Sequence, residues 1–161
     1  MKKFIAVALA AFLMSLGCGA QEKAKYYDEQ INPVTQVKAA LKQAGKEGKY
    51  LCCQVGGNWC PWCIKFYDYI KADSGIWKIV QDNFVYIHVN YDKKNPHNDE
   101  AMKMLSNPRR FGVPCMVILS SDGKVLHLQD SGLLEEGESY NRDKVLKFFK
   151  NWTPEAVNTL K

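Results

Sequence analysis

Two cysteines held two residues apart, Cys60-Pro61-Trp62-Cys63, are the side chains of this sequence best placed for chemistry. They follow a Gly56-Gly57-Asn58 break and open an apolar run, with Cys63, Phe66, Tyr67 and Ile70 at i, i+3, i+4 and i+7. That spacing predicts a helix starting at the motif. Cys60 then occupies the N-cap and Pro61 the first helical position, where an amide has no helical partner to lose. Residues three apart share a helix face, with Cβ atoms about 5–6 Å apart, so a modest adjustment brings the two sulfurs into bonding range. The positive end of the helix dipole and the unpaired amides of the first turn stabilise a thiolate at Cys60 and lower its pKa. A lower pKa supplies more nucleophile at neutral pH and makes the sulfur a better leaving group. Cys63 begins the apolar stripe and should face the core. An exposed attacking thiol beside a shielded resolving thiol is the arrangement that thiol–disulfide exchange needs.

Other uses of the pair fit less well. A structural zinc site needs four ligands, and no second C-x-x-C or H-x-x-x-H is present. Attachment of a c-type haem needs histidine after the second cysteine, where Ile64 stands. A purely structural disulfide over so short a loop stabilises little. No metal site is expected and no dissociable cofactor is implied.

The elements that must position the motif are legible around it. Tyr50 to Val55 is a short apolar run, consistent with a buried strand leading into the motif. Before it, Val34, Val37, Leu41 and Ala44 mark one face of a helix that starts at Pro33 and is ended by Gly45 and Gly48. Ser74 is placed to cap a third helix carrying Ile76, Ile79 and Val80. Phe84 to Tyr91 reads as the next strand, and a loop at residues 95–98 leads to a helix around Ala101 to Ser106. Cys115 to Leu119 is strand-like, Ser121-Asp122-Gly123 signals a hairpin, and Lys124 to Gln129 returns. Val145, Phe148, Phe149 and Trp152 share a face of the last helix. Strands alternating with helices, then a hairpin, predict an α/β fold: a mixed central sheet with helices on both faces.

Length and charge narrow the class. With 161 residues the chain suits one domain with a sizeable core. Lys2 and Lys3 precede an apolar run from Phe4 to Leu16 and then small residues, the layout of a secretory signal. The run is shorter than the ~20 residues of a membrane span. Cleavage before Gln21 is the preferred reading. The alternative is lipidation at Cys18, which would attach the protein to a membrane, although Ser15 replaces the usual aliphatic residue of such a signal. The expected division is therefore a signal peptide over 1–20, a polar tail or edge segment over 21–32, and one domain over 33–161. Losing Lys2 and Lys3 lowers the net charge only from +5 to +3, and lysines and acids are interspersed. That excludes the long basic run of a nucleic-acid groove. Six cysteines are permissible in an exported protein. Cys52 and Cys53 point to opposite sides of their strand and read as buried free thiols.

Trp59-Cys60-Pro61-Trp62-Cys63 after the Tyr50–Val55 strand resembles the active site of the thioredoxin-like superfamily. Gly112-Val113-Pro114 before the Cys115–Leu119 strand resembles that family's cis-proline loop, and Asn90-Tyr91-Asp92 is similar to a further segment of it. The resemblance covers most of residues 34–152 and is closest to exported bacterial members. It implies a thioredoxin-like fold and thiol–disulfide oxidoreductase activity, with Cys60 as nucleophile and Cys63 as resolving thiol. It also implies a cis Pro114 against the pair, with Val113 offering its backbone to an extended substrate by strand addition. Pro61, Trp59 and Trp62 would complete the substrate surface. Protein thiols or disulfides, small thiols and a redox partner protein are the implied partners, in the periplasm. Cys115, next to the implied cis-proline, is either a third redox thiol or, preferably, core filling.

Three departures matter. The aspartate that thioredoxins bury six residues before the first active-site cysteine is Gln54 here, which cannot titrate. The family's partner lysine falls near His88, the remaining titratable candidate there, or else a polar residue on the accessible side of a strand. Trp62 departs from the usual Gly-Pro pair, so the direction of exchange is not readable from the motif. The rival class is a redox-inactive binding module of the same fold, against which the intact C-x-x-C argues. A peroxidase of similar fold would use a different motif, which is not found.

Overall fold

The computed structural model describes residues 25–159. The expected signal segment and Cys18 lie outside the described residues. The central sheet has four strands: β1 (Tyr50–Gly56), β2 (Phe84–Asn90), β3 (Cys115–Leu119) and β4 (Val125–Asp130), in the order β2-β1-β3-β4. β1 runs parallel to β2 and antiparallel to β3, and β3 runs antiparallel to β4. The sheet is therefore mixed, as expected. β1 is central and buried along its whole length, which explains why it reads as a continuous apolar run rather than an alternating one.

Helices cover both faces. On one face α1 (Pro33–Glu47) and α4 (Asn98–Met104) pack Val37, Ala44 and Ala101 against Leu51, Cys53 and Val55. On the other, α2 (Pro61–Ala72), α3 (Ser74–Asn83) and α5 (Arg142–Asn151) pack Phe66, Ile76 and Phe149 against Cys52, Met116 and Ile118. Cys52 and Cys53 thus lie in separate cores, as their alternation requires, and both are free thiols. α1 begins where Asn32 accepts from the amides of Val34 and Thr35, and stops at Gly48, whose φ of 65° suits glycine.

Several boundaries differ from the sequence reading. α3 is capped by Asp73, not Ser74: the Asp73 carboxylate accepts from Gly75 N and Ile76 N at 2.9 and 3.0 Å. Its other oxygen meets Arg142 Nε at 2.6 Å, tying the α2–α3 junction to α5. Asp outcompetes Ser because a carboxylate accepts both amides and the guanidinium at once. The last helix ends with Trp152 as its C-cap, and a short α6 (Pro154–Asn158) follows. Between β4 and α5 lie a 3-10 turn (Ser131–Leu134) and the paired β5 (Glu135–Glu136) and β6 (Ser139–Tyr140). Strands of two residues have no alternation to detect. Residues 25–32 form no strand and do not trail as a tail: Tyr27 is buried in a cluster with Cys60 and Cys63. Among the described residues no helix is long and apolar enough to cross a membrane.

Candidate active site

β1 delivers the chain to the motif, and the turn at Asn58–Trp59, closed by Cys60 N donating to Gly57 O at 3.1 Å, aims it into α2. Cys60 is the N-cap of α2, with extended φ and ψ of −101° and 104°, and Pro61 takes the first helical position. The Cys60 sulfur accepts the Cys63 amide N–H at 3.1 Å. The two cysteines form a disulfide with their Cα atoms 5.2 Å apart. The expected order of shielding holds, but the expected openness does not: Cys60 is only 5% exposed and Cys63 fully buried. Tyr27 packs in the same cluster, and Trp62, Ile64 and Val113 close around it.

The second loop arrives from across the sheet. A 3-10 turn (Pro108–Phe111) and Gly112, with φ of 87°, lead to a cis Val113–Pro114 peptide at the start of β3. The Val113 carbonyl oxygen lies 3.9 Å from the Cys60 sulfur. Pro114 is buried, Val113 half-buried and Pro61 exposed. Trp59 is 60% exposed, and Phe111, which the sequence did not single out, is also exposed. Trp62 is half-buried, edge-on to Tyr140 with centroids 5.4 Å apart, while Lys65 Nζ sits 4.6 Å over its ring. The sulfur of Cys60 therefore lies between a backbone carbonyl and aromatic side chains.

Behind the disulfide, Gln54 is fully buried on β1. Its Nε2 donates to the Cys63 carbonyl at 2.8 Å and to the Tyr27 hydroxyl at 2.6 Å. Its Oε1 accepts from the Tyr86 hydroxyl. An amide that makes three hydrogen bonds is at ease where a lone carboxylate would have to be desolvated. Tyr27 is the main residue that sequence reasoning missed. Its segment is pinned by Asn58, whose Oδ1 accepts from Tyr26 N and Tyr27 N at 3.0 and 3.1 Å and whose Nδ2 donates to Tyr27 O at 2.8 Å. The adjacent tyrosines in an otherwise polar stretch were the available signal.

His88 pairs in register with Gln54 and is half-buried. Its ring is hemmed in by Tyr26, Tyr27, Tyr67 and Tyr86, with centroids 4.3–5.7 Å away. Burial disfavours the imidazolium and pulls its pKa from 6.5 to about 4. His88 is therefore neutral at working pH. The unfolded chain protonates it first as the medium acidifies, so its contribution is intact above pH 6.5 and is lost as pH falls toward 4. The expected loss is roughly 2–3 kcal/mol. Urea denaturation at pH 7 and pH 4 should show this drop in the wild type and a smaller one in His88→Leu; equal drops would contradict it.

The remaining thiols are poorly suited to exchange. Cys115 is buried opposite Val55, and burial pushes its pKa up to about 12. Burial also raises Cys52 and Cys53 well above the ordinary thiol range. These are core fillers. No cluster of His, Cys, Asp and Glu suited to a metal ion occurs among the described residues.

Comparison with known proteins agrees with this geometry. The thioredoxin-like domain family matches residues 37–141. The disulfide bond reductase DsbH of Chlamydia pneumoniae is 26% identical over 92 residues, covering 54% of this chain and 55% of that protein. The chain thus spans about half the length of that curated relative. The structure of a disulphide isomerase from Xylella fastidiosa Temecula1 superposes with a TM-score of 0.68 at 25% identity, covering 80% of this chain and 96% of that one. The oxidised C-terminal domain of DsbD from Neisseria meningitidis shares the fold, with a TM-score of 0.52 at 18% identity over 80% of this chain and 99% of that one. With the motif, the mixed sheet and the matched segment in agreement, the chain belongs to the thioredoxin-like domain family.

Proposed function

We propose that this protein is a thiol–disulfide oxidoreductase acting on protein or small thiols outside the cytoplasm. The observation that carries the reading is the placement of Cys60: an N-cap sulfur that accepts an amide N–H, beside the Val113 carbonyl, on the less buried of the two disulfide cysteines. In the reduced protein the same N–H and the helix dipole favour the Cys60 thiolate. Cys60 attacks a substrate disulfide in line with its S–S bond, one substrate sulfur leaves, and a mixed disulfide remains. Cys63 then attacks Cys60, closing the internal disulfide and releasing the second substrate sulfur. The reverse sequence oxidises a dithiol.

Substrate recognition is assigned to the rim. Val113 offers its backbone to an extended chain, while Pro61, Trp59 and Trp62 supply apolar contact around the sulfur. Such a surface selects a shape more than a sequence. The relatives are named as a disulfide bond reductase and a disulphide isomerase, which supports protein substrates and a redox partner that resets the pair. Lys2, Lys3 and the apolar run to Leu16 support export to the periplasm, with Cys18 as the alternative lipid anchor.

Redox titration tests this reading. Trp59 and Trp62 flank the pair, so their fluorescence should report its state as the ratio of reduced to oxidised dithiothreitol or glutathione is varied. A single reversible two-electron transition is expected, about 30 mV per tenfold change in equilibrium constant. A pair that stays closed or open across the whole range would contradict the proposal.

A further inference from the structure

The buried hydrogen bonds behind the disulfide leave one proton without an acceptor. The Cys63 carbonyl can only accept, so the Gln54 group facing it at 2.8 Å must be the amide nitrogen. The second N–H of that nitrogen points to the Tyr27 hydroxyl at 2.6 Å, and the oxygen of Gln54 is taken by Tyr86. Tyr27 therefore serves Gln54 as an acceptor, and among the described residues its own O–H finds no acceptor. A buried hydroxyl in that condition is costly unless a partner becomes available. Gly56 places one such partner beside it. A Cβ on Gly56 would lie 2.8 Å from the Tyr27 oxygen and closer still to the Cys63 sulfur. The hydroxyl and the sulfur thus face each other across a bare Cα, and cannot be further apart than those two distances laid end to end.

We propose that Tyr27 is the hydrogen-bond donor that holds the Cys63 thiolate once the disulfide opens, and that it thereby positions and activates the resolving sulfur. The inference rests on the exchange reaction proposed above and adds a residue to its second step. In that step Cys63 Sγ bonds to Cys60 Sγ, the bond from Cys60 to the substrate breaks, and the electron pair leaves on the substrate sulfur. That sulfur ends with the proton given up by Cys63. Tyr27 donates a hydrogen bond throughout and transfers no proton. Burial raises its pKa far beyond the working range, which keeps the donor protonated. Gln54 cannot compete for the sulfur, since both its N–H groups are occupied, but it fixes the Tyr27 oxygen by donating to it. A neutral Gln–Tyr pair thus does by hydrogen bonding what a titrating carboxylate cannot do here. Hydrogen bonds to charged acceptors are about twice as strong as neutral ones.

The test uses 5,5′-dithiobis(2-nitrobenzoate) with the reduced protein. Attack by Cys60 releases one nitrothiobenzoate, and resolution by Cys63 releases the second. In Tyr27→Phe the first release should change far less than the second, because the ring that packs beside Cys60 is kept and the lost hydrogen bond is to Cys63. The second should be roughly tenfold slower at pH 7, and the Cys63 thiol pKa, read from its Cβ carbon shift, should rise by about one unit. Loss of ring packing alone would not move that pKa. An unchanged second release and an unchanged Cys63 pKa would overturn the assignment of Tyr27. Failure of the wild type to release a second equivalent would instead overturn the exchange reading itself. Should Tyr27→Phe not fold, the wild type decides: the Tyr27 Cζ shift should follow the Cys63 titration, and a flat Tyr27 signal would overturn the proposal.

Discussion

Cys60→Ser should reduce insulin-disulfide reduction to the dithiothreitol background, a fall of roughly a hundredfold or more, and Cys63→Ser should do so by another route. A serine hydroxyl at the α2 N-terminus receives the same amide and the same dipole, but it is not ionised at neutral pH and forms no bond to sulfur that the next step can open. Cys60→Ser is therefore silent from the first step. Cys63→Ser keeps the attacking sulfur, so it should release one substrate sulfur per protein and then stop. Turnover measured against a single-equivalent burst separates the two. Residual steady-state activity in Cys60→Ser would mean that a thiol other than Cys60 takes first attack, either Cys63 or one of Cys52, Cys53 and Cys115, against the burial of all four.

Gly56→Ala should be the most damaging single methyl addition at the site. Gly56 ends β1, opposite Asn90. A Cβ there would stand under 3.0 Å from both the Cys63 sulfur and the Tyr27 oxygen, and 3.3 Å from the Cys63 Cβ. None of these atoms is the loose end of a flexible chain: the sulfur is tied into the disulfide and the hydroxyl is held by Gln54. Overpacking of this kind costs about 1–3 kcal/mol. Gly45→Ala is the matched control. Gly45 lies within α1, where a Cβ would meet only Ser121 Cβ at 3.9 Å. There the helix gains about 0.5–1 kcal/mol from a residue with less freedom to lose. Urea denaturation should show opposite signs for the two variants; a neutral Gly56→Ala would contradict the crowding inferred at the disulfide.

What was legible in the sequence follows from how each contact is encoded. Tyr50–Gly56, Pro61–Ala72 and Cys115–Leu119 were readable because burial imposes a run or a period on their side chains, and the last two begin directly after Cys60 and Pro114. Cys60 as N-cap followed from local spacing alone. Its near-complete burial did not, because Val113 and Tyr27 reach it from distant parts of the chain. Tyr27 was missed for the same reason. Two tyrosines without a helical or strand period give no sign of docking, and their anchors, Asn58, Gln54 and Asp68, lie 27 to 42 residues away. His88 illustrates the reverse case. Its type suggested a proton carrier, yet four tyrosine rings around it make it a neutral packing residue. Gln54 was recognised as a departure, but only the structure shows that it bonds to Cys63 and Tyr27 at once.

The most direct measurement is to find the sulfur that captures substrate. Cys63→Ser is incubated with insulin or glutathione disulfide, free thiols are blocked, and peptide mass spectrometry locates the mixed disulfide. The expected result is one adduct per protein, on Cys60, with Cys52, Cys53 and Cys115 recovered as blocked thiols after unfolding. An adduct on one of those three cysteines, or no adduct at all, would contradict the assignment of Cys60 as the attacking thiol.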